Sequence, residues 1–237
     1  MHPRPPRSLA RLKPVAPVTP MKTRLSLISL LAVLLAANAV GAPAANREAD
    51  ALAVLNNPAA ELKEKARACQ TLADFGGAKS IAALSSLLAD EKLGDYARSG
   101  LESMADPGAG AALRRALGTL GGRQLAGAIN SLGVRRDTAA VTELRKLALA
   151  NKADAAPAAV AALGLIGNAD AAQALQAVFS GGPAELRLPA AHAAIIAAEH
   201  LARAGNRAAV RALLEASVKA VPAGPSADAA RRLLAAK

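Results

Sequence analysis

Leucine returns along this chain at positions 72, 101, 132, 163 and 201, at intervals of 29, 31, 31 and 38 residues. Twelve residues after each stands another leucine: Leu84, Leu113, Leu144, Leu175 and Leu213. Four residues before each stands an alanine: Ala68, Ala97, Ala128, Ala159 and Ala197. Self-similarity at one period across three positions marks an array of supersecondary units, each burying its apolar face against its neighbours. The position five after the first leucine reads Gly77, Asp106, Asp137, Asn168 and Asn206, preceded by Gly76, Ala105, Arg136, Gly167 and Gly205. Glycine closes a helix in the left-handed conformation, and Asp or Asn caps the next by accepting from its free N–H groups. Each unit is therefore predicted to be helix, tight turn, helix. The alanine and first leucine share one face of the first helix, and the second leucine starts the apolar face of its partner.

Composition supports helices and opposes sheets. Alanine makes up about a quarter of the chain, aromatics are 1%, and Trp is absent. No run of Val, Ile, Tyr and Thr alternates as an antiparallel sheet requires. Small side chains at the alanine positions let helix axes approach toward the short end of about 8–10 Å. The pattern predicts first helices over 62–75, 93–104, 123–135, 155–166 and 186–204. Their partners fall at 78–89, 107–117, 138–150, 169–180 and 207–220. An N-terminal helix over 47–55 caps the stack, with Asn56, Asn57 and Pro58 ending it. Pro222, Gly224 and Pro225 interrupt the chain before a last helix at 227–236. The seven extra residues before Leu201 predict a long first helix in the fifth unit.

The stretches "AALGLIGNADAAQAL" (161–175), "HLARAGNRAAVRALL" (200–214) and "TLADFGGAKSIAALSSLLAD" (71–90) resemble HEAT-like repeats of the short kind found in phycobilisome lyases. The resemblance covers residues 58 to 220. It implies an all-α fold, a right-handed α-α superhelix or HEAT-like solenoid of about five helix pairs. It implies little about activity, since such repeats serve as scaffolds in many settings. The Val-Arg often found on the first helix of such units has only a loose counterpart at Leu186-Arg187.

The N-terminus reads as a targeting segment. Met21-Lys22-Thr23-Arg24 precedes thirteen uncharged residues, Leu25 to Ala37, followed by small residues at Ala37/Ala39 and Ala42/Ala44. A basic n-region, a short apolar stretch and a small-residue exit make a signal peptide over 21–44, too short for a transmembrane span of about 20 apolar residues. The Pro- and Arg-rich residues 1–20 either extend the n-region or lie upstream of a start at Met21, the reading favoured here. The expected organisation continues with a cap helix over 45–57, the repeat domain over 58–221, and a linker and last helix over 222–237. That last helix reads as the opening of a further repeat. Removing residues 1–44 takes away six basic residues and no acid, so the net charge falls from +11 to +5. The mature chain is expected in the periplasm or outside the cell, without stable membrane insertion.

Few residues point to chemistry. Gly164-x-x-Gly167 follows a helix and fits neither a Walker loop nor a dinucleotide fingerprint, so it reads as a turn. Gly118, Gly121 and Gly122 read as a helix break. His192 and His200, eight residues apart on one helix, stand about 12 Å apart along its axis and cannot share an ion. Asp90, Glu91 and Asp95 read as caps and solvated charges. Cys69 cannot form an internal disulfide, and its counterparts Arg98, Ile129, Val160 and Ala198 are mostly apolar, so it reads as a packed thiol without a base. Phe75 and Phe179 fall at core-like positions, which leaves Tyr96. No catalytic, cofactor-binding or metal residue is assigned.

One surface feature stands out. Arg114-Arg115 and Arg145-Lys146 occupy the same register positions thirty-one residues apart, and Arg123, Arg135 and Arg136 lie in the same two units. Stacking would bring the pairs about 10 Å apart on neighbouring second helices. A basic patch there suits an acidic protein or an anionic glycan. Nucleic acid is not expected, because stacking aromatics are missing. The expected function is a non-catalytic scaffold for a protein partner. The alternatives are the accessory N-terminal part of a larger secreted enzyme and, on the family resemblance alone, a bilin-lyase-like enzyme.

Overall fold

A computed structural model of the protein describes residues 44–150 and 154–235. The expected leader, residues 1–20 and 21–44, lies outside the described residues except for Ala44. Among the described residues no helix is long and apolar enough to cross a membrane.

The described chain is all helical and contains no strand. Twelve α-helices follow in order: α1 (Ala44–Asn56), α2 (Leu62–Phe75), α3 (Ala78–Ser86), α4 (Gly94–Ser103), α5 (Pro107–Ala116), α6 (Gly122–Val134), α7 (Val141–Leu149), α8 (Ala155–Ile166), α9 (Ala169–Gly181), α10 (Arg187–Arg203), α11 (Arg207–Ala220) and α12 (Pro225–Ala235). Short 3-10 turns at Thr138–Ala140 and Ala184–Leu186 lead into α7 and α10. The five predicted helix pairs are present, and α10, at 17 residues, is the longest helix of the set. Prolines sit where a helix tolerates them: Pro107 and Pro225 open α5 and α12, and Pro157 and Pro189 fall in the first turns of α8 and α10. Their missing N–H has no intrahelical acceptor there.

The helices stack as a solenoid-like array. First helices pack side by side, α2 on α4, α4 on α6, α6 on α8 and α8 on α10. In the second row, α3 lies on α5, α7 on α9 and α9 on α11, whereas α5 and α7 hardly touch. Helix α1 caps the stack on α2 and α3, and α12 packs on α11 and α10 at the other end. All fifteen register residues, the five alanines and ten leucines, are buried. Burying a leucine contributes about 1.5–3 kcal/mol, so these ten are the main apolar anchor of the array. Cys69 is fully buried beside Leu72, and desolvation pushes its thiol up to about 11.

The inter-helix turns are less uniform than the repeat predicts. Gly167 and Gly205 adopt the left-handed conformation (φ 58° and 75°), and so does Arg136 (φ 52°), an arginine where the other two have glycine. Asp106, Asn168 and Asn206 cap their helices by accepting from the backbone N–H of Gly108, Ala171 and Ala209. Asp137 does not cap its turn as expected. Its carboxylate is drawn off by the guanidinium of Arg114 on the preceding unit. Gly77 has no side chain to cap with, and Glu48 of α1 supplies the carboxylate instead. It accepts from the Gly77 N–H (2.8 Å) and the buried Ser80 hydroxyl (2.7 Å). These two hydrogen bonds, Gly77 first, hold the Glu48 carboxyl below the usual carboxylate range.

Candidate functional site

The seven basic residues singled out from the sequence divide into two kinds. Arg135 sits at the end of α6 and turns back onto the preceding unit. Its guanidinium donates to the carbonyls of Leu101 (2.9 Å), Glu102 (3.0 Å), Met104 and Asp106 (3.1 Å). The last carbonyls of α4 have no partner within their own helix, and Arg135 satisfies them. Arg136 reaches the other way, to the Ile166 carbonyl at the end of α8 (3.3 Å). Arg114 pairs with Asp137, and Arg123 pairs with Asp95. Lys146 meets Glu143 one turn earlier on α7 (3.0 Å). Arg115 and Arg145 are exposed and, among the described residues, form no ion pair.

The arrangement therefore differs from the compact patch that register alone implies. Arg114, Arg135 and Arg136 serve as ties between units. Because α5 and α7 hardly touch, the close packing that would place both pairs about 10 Å apart is missing at that seam. The free positive charge of this surface resides in Arg115 and Arg145.

A second polar feature was hidden in the repeat. Arg98 occupies the register position that carries Cys69, Ile129, Val160 and Ala198 in the other units. Its guanidinium donates to the hydroxyl of fully buried Ser131 (2.8 Å) and to Glu102 (3.2 Å), and Ser131 donates to Glu102 (2.6 Å). The three groups form a closed network between α4 and α6. With Ser131 out of reach of solvent, the network fastens two helices and does not present a nucleophile. A polar residue at an otherwise apolar register position was the signal that could have found it.

The other residues considered for chemistry are scattered. His192 is exposed, while His200 packs against Gly167; burial, together with Arg136 and Arg203, holds its pKa below the ordinary imidazole value. Asp90 accepts from the N–H groups of Lys92 and Leu93 (both 2.8 Å), a turn cap as expected. Phe179 is buried as expected. Phe75 is not in the core: it is 38% exposed at the end of α2, with the Arg47 guanidinium 4.6 Å from its ring centre. It ends its helix, where a cation–π contact from Arg47 of α1 covers it in part. Among the described residues no three His, Cys, Asp or Glu side chains are grouped to hold a metal.

Two surface hollows stand out among the described residues. One of about 350 Å³ lies between α2 and α4, lined by Gln70, Asp74, Tyr96, Ser99 and Ser103 among others. The other, about 520 Å³, lies where α10, α11 and α12 meet. No model of a known protein family matches the chain, and a search of curated proteins finds no match either.

Proposed function

We propose that this chain is a non-catalytic HEAT-like scaffold that binds a protein partner in the periplasm or outside the cell. The reading rests on the fate of its side chains. Every register residue of the five units is spent on stacking, and the buried polar network and the Arg135 and Arg136 contacts tie one unit to the next. What the array offers beyond itself is an extended surface of exposed helix faces, the usual asset of stacked repeats. Arg115 and Arg145 are the members of the basic set available to an acidic partner. Export rests on the sequence of residues 21–44.

Capture of partners from a periplasmic extract tests this directly, comparing wild type with R115E/R145E. Both side chains are exposed and, among the described residues, unpaired, so the variant is expected to fold normally and to lose or weaken its partner. A partner retained in full by the variant removes these two arginines from the interface. An N-terminus that begins at Met1 or Met21 in the protein recovered from cells, read by mass spectrometry, would remove export.

A further inference from the structure

The hollow at the C-terminal end of the array is built differently from the rest of the surface. Its floor is apolar, formed by Ala202, Val210 and the two leucines Leu233 and Leu234 near the end of α12. Leu233 is left 37% exposed there. Three arginines stand around it: Arg203 from the last turn of α10, and Arg207 and Arg211 one turn apart on α11. Glu199 is the only acid in the lining, and it is held by Arg203 (3.4 Å). Arg207 and Arg211 form no ion pair among the described residues, although Glu215 follows Arg211 by one turn.

The repeat itself shows that these arginines are not demanded by the fold. At the register position of Arg203 the other units carry Asp74, Ser103, Val134 and Leu165. At that of Arg207 they carry Ala78, Pro107, Thr138 and Ala169, all exposed. At that of Arg211 they carry Ala82, Ala111, Thr142 and Gln173. At the two positions of Arg207 and Arg211 the second helices of the other four units are thus uncharged. Terminal repeats often carry a polar outer face. Here three arginines and a single carboxylate, itself paired with one of them, border a partly exposed apolar floor, leaving a net positive rim.

We infer that this groove docks an acidic amphipathic helix of a partner protein, its apolar side chains on Leu233, Leu234 and Val210 and its carboxylates on Arg207 and Arg211. Arg207 and Arg211 stand about 6 Å apart along α11, the spacing of Glu or Asp at i and i+4 on an incoming helix. Recognition would follow the helix-in-groove mode, with apolar anchors supplying affinity and the arginines orientation. The proposal rests on the scaffold reading above and assigns it a second contact surface at the end of the stack.

The test uses the full chain and a fluorescein-labelled helical peptide of about 14 residues, close to the shortest length that holds a helix in water. The peptide carries glutamates at i and i+4 beside two leucines. Fluorescence anisotropy at low salt is expected to show saturable binding, weakened about tenfold or more by R207E/R211E. A peptide with lysines for glutamates should not bind, and L233D should weaken binding through the floor. Circular dichroism of the variants should match wild type, since all three residues are exposed. R115E/R145E should bind the peptide normally. Binding unaffected by R207E/R211E, or lost in R115E/R145E alone, would overturn the groove assignment while leaving the scaffold reading standing. No binding to wild type, or binding of dodecanoate in place of the peptide, would also overturn it.

Discussion

The seam between α8 and α10 and the seam between α4 and α6 join equivalent helices of the repeat, yet they are held by opposite means. Helix α8 buries Ala155, Ala156, Ala159, Ala162 and Gly164, and α10 buries Ala190, Ala191, Ala193, Ala194, Ala197 and Ala198. Where they cross, a Cβ on Gly164 would stand 2.9 Å from the Cα and carbonyl oxygen of Ala193. The helices meet backbone to backbone, with no side-chain hydrogen bond between them among the described residues. At the α4–α6 seam the register position of Gly164 carries Glu102, bound to Arg98 and Ser131, with Arg135 capping α4 from outside. A repeat can thus keep its period while changing the chemistry of its contacts. The alanine seam depends on shape, and the polar seam depends on every hydrogen bond in a small set being made.

The largest expected effect separates the two seams with one chemical change made twice. Gly164→Ala should cost about 2–3 kcal/mol, because the methyl group meets backbone that cannot turn aside. Gly127→Ala, on α6, meets only the flexible Arg98 side chain (2.9 Å to its Cδ). It should cost less than Gly164→Ala, because a side chain can turn aside where backbone cannot, and the cost that remains comes from shifting Arg98 against its hydrogen bonds to Ser131 and Glu102. Urea denaturation followed by circular dichroism measures both, and equal costs would erase the distinction.

A smaller effect tests the polar seam. Ser131→Ala removes the hydroxyl that links Arg98 to Glu102 inside the seam and should cost about 1–2 kcal/mol. A double-mutant cycle with Glu102→Gln should give a coupling well above that of unconnected sites. Additive costs would mean that the network has no cooperative role. Smaller still, Arg135→Leu withdraws the donor from the carbonyls at the end of α4 and should cost about 1 kcal/mol. Its signature is faster amide exchange at the α4–α5 turn ahead of the rest of the protein.

The smallest effect lies at the capped N-terminal end and depends on pH. Glu48 is held below the usual carboxylate range by the Gly77 N–H and the Ser80 hydroxyl. A carboxylate with a lowered folded-state pKa stabilises the fold above the unfolded value, and that contribution is lost as pH falls through the folded one. Wild type should exceed Glu48→Gln in melting temperature near neutral pH, with the gap closing below the usual carboxylate range. A gap that persists in acid would mean that the contact acts through packing and not through the charge.

Much of this architecture is legible in the sequence because the repeat is enforced by sterics at a few positions. The alanine and the two leucines of each unit recur wherever helices must pack, and all of them are buried. Helix limits followed from the same spacing, with α8 and α11 falling at the predicted residues. Caps were legible where the side chain is local, as at Asn168 and Asn206, and not where a distant group competes. Arg114 takes the Asp137 carboxylate, and Glu48 serves a helix start that lacks its own cap.

The candidate surface was legible only in outline. Register placed Arg114, Arg115, Arg145 and Lys146 on equivalent helix positions, but it could not tell a solvated arginine from one spent on a neighbouring carbonyl or carboxylate. That distinction depends on what comes within about 3 Å of a long, flexible side chain, and those partners lie 23 to 34 residues away in the chain. The three arginines at the end of the array were visible as letters, yet only the meeting of α10, α11 and α12 brings them around one groove. The sequence by itself determined the all-helical repeat, because period and side-chain size act locally and recur. Only the tertiary structure decided which charges remain free, because that follows from contacts between units with no periodic trace in the chain.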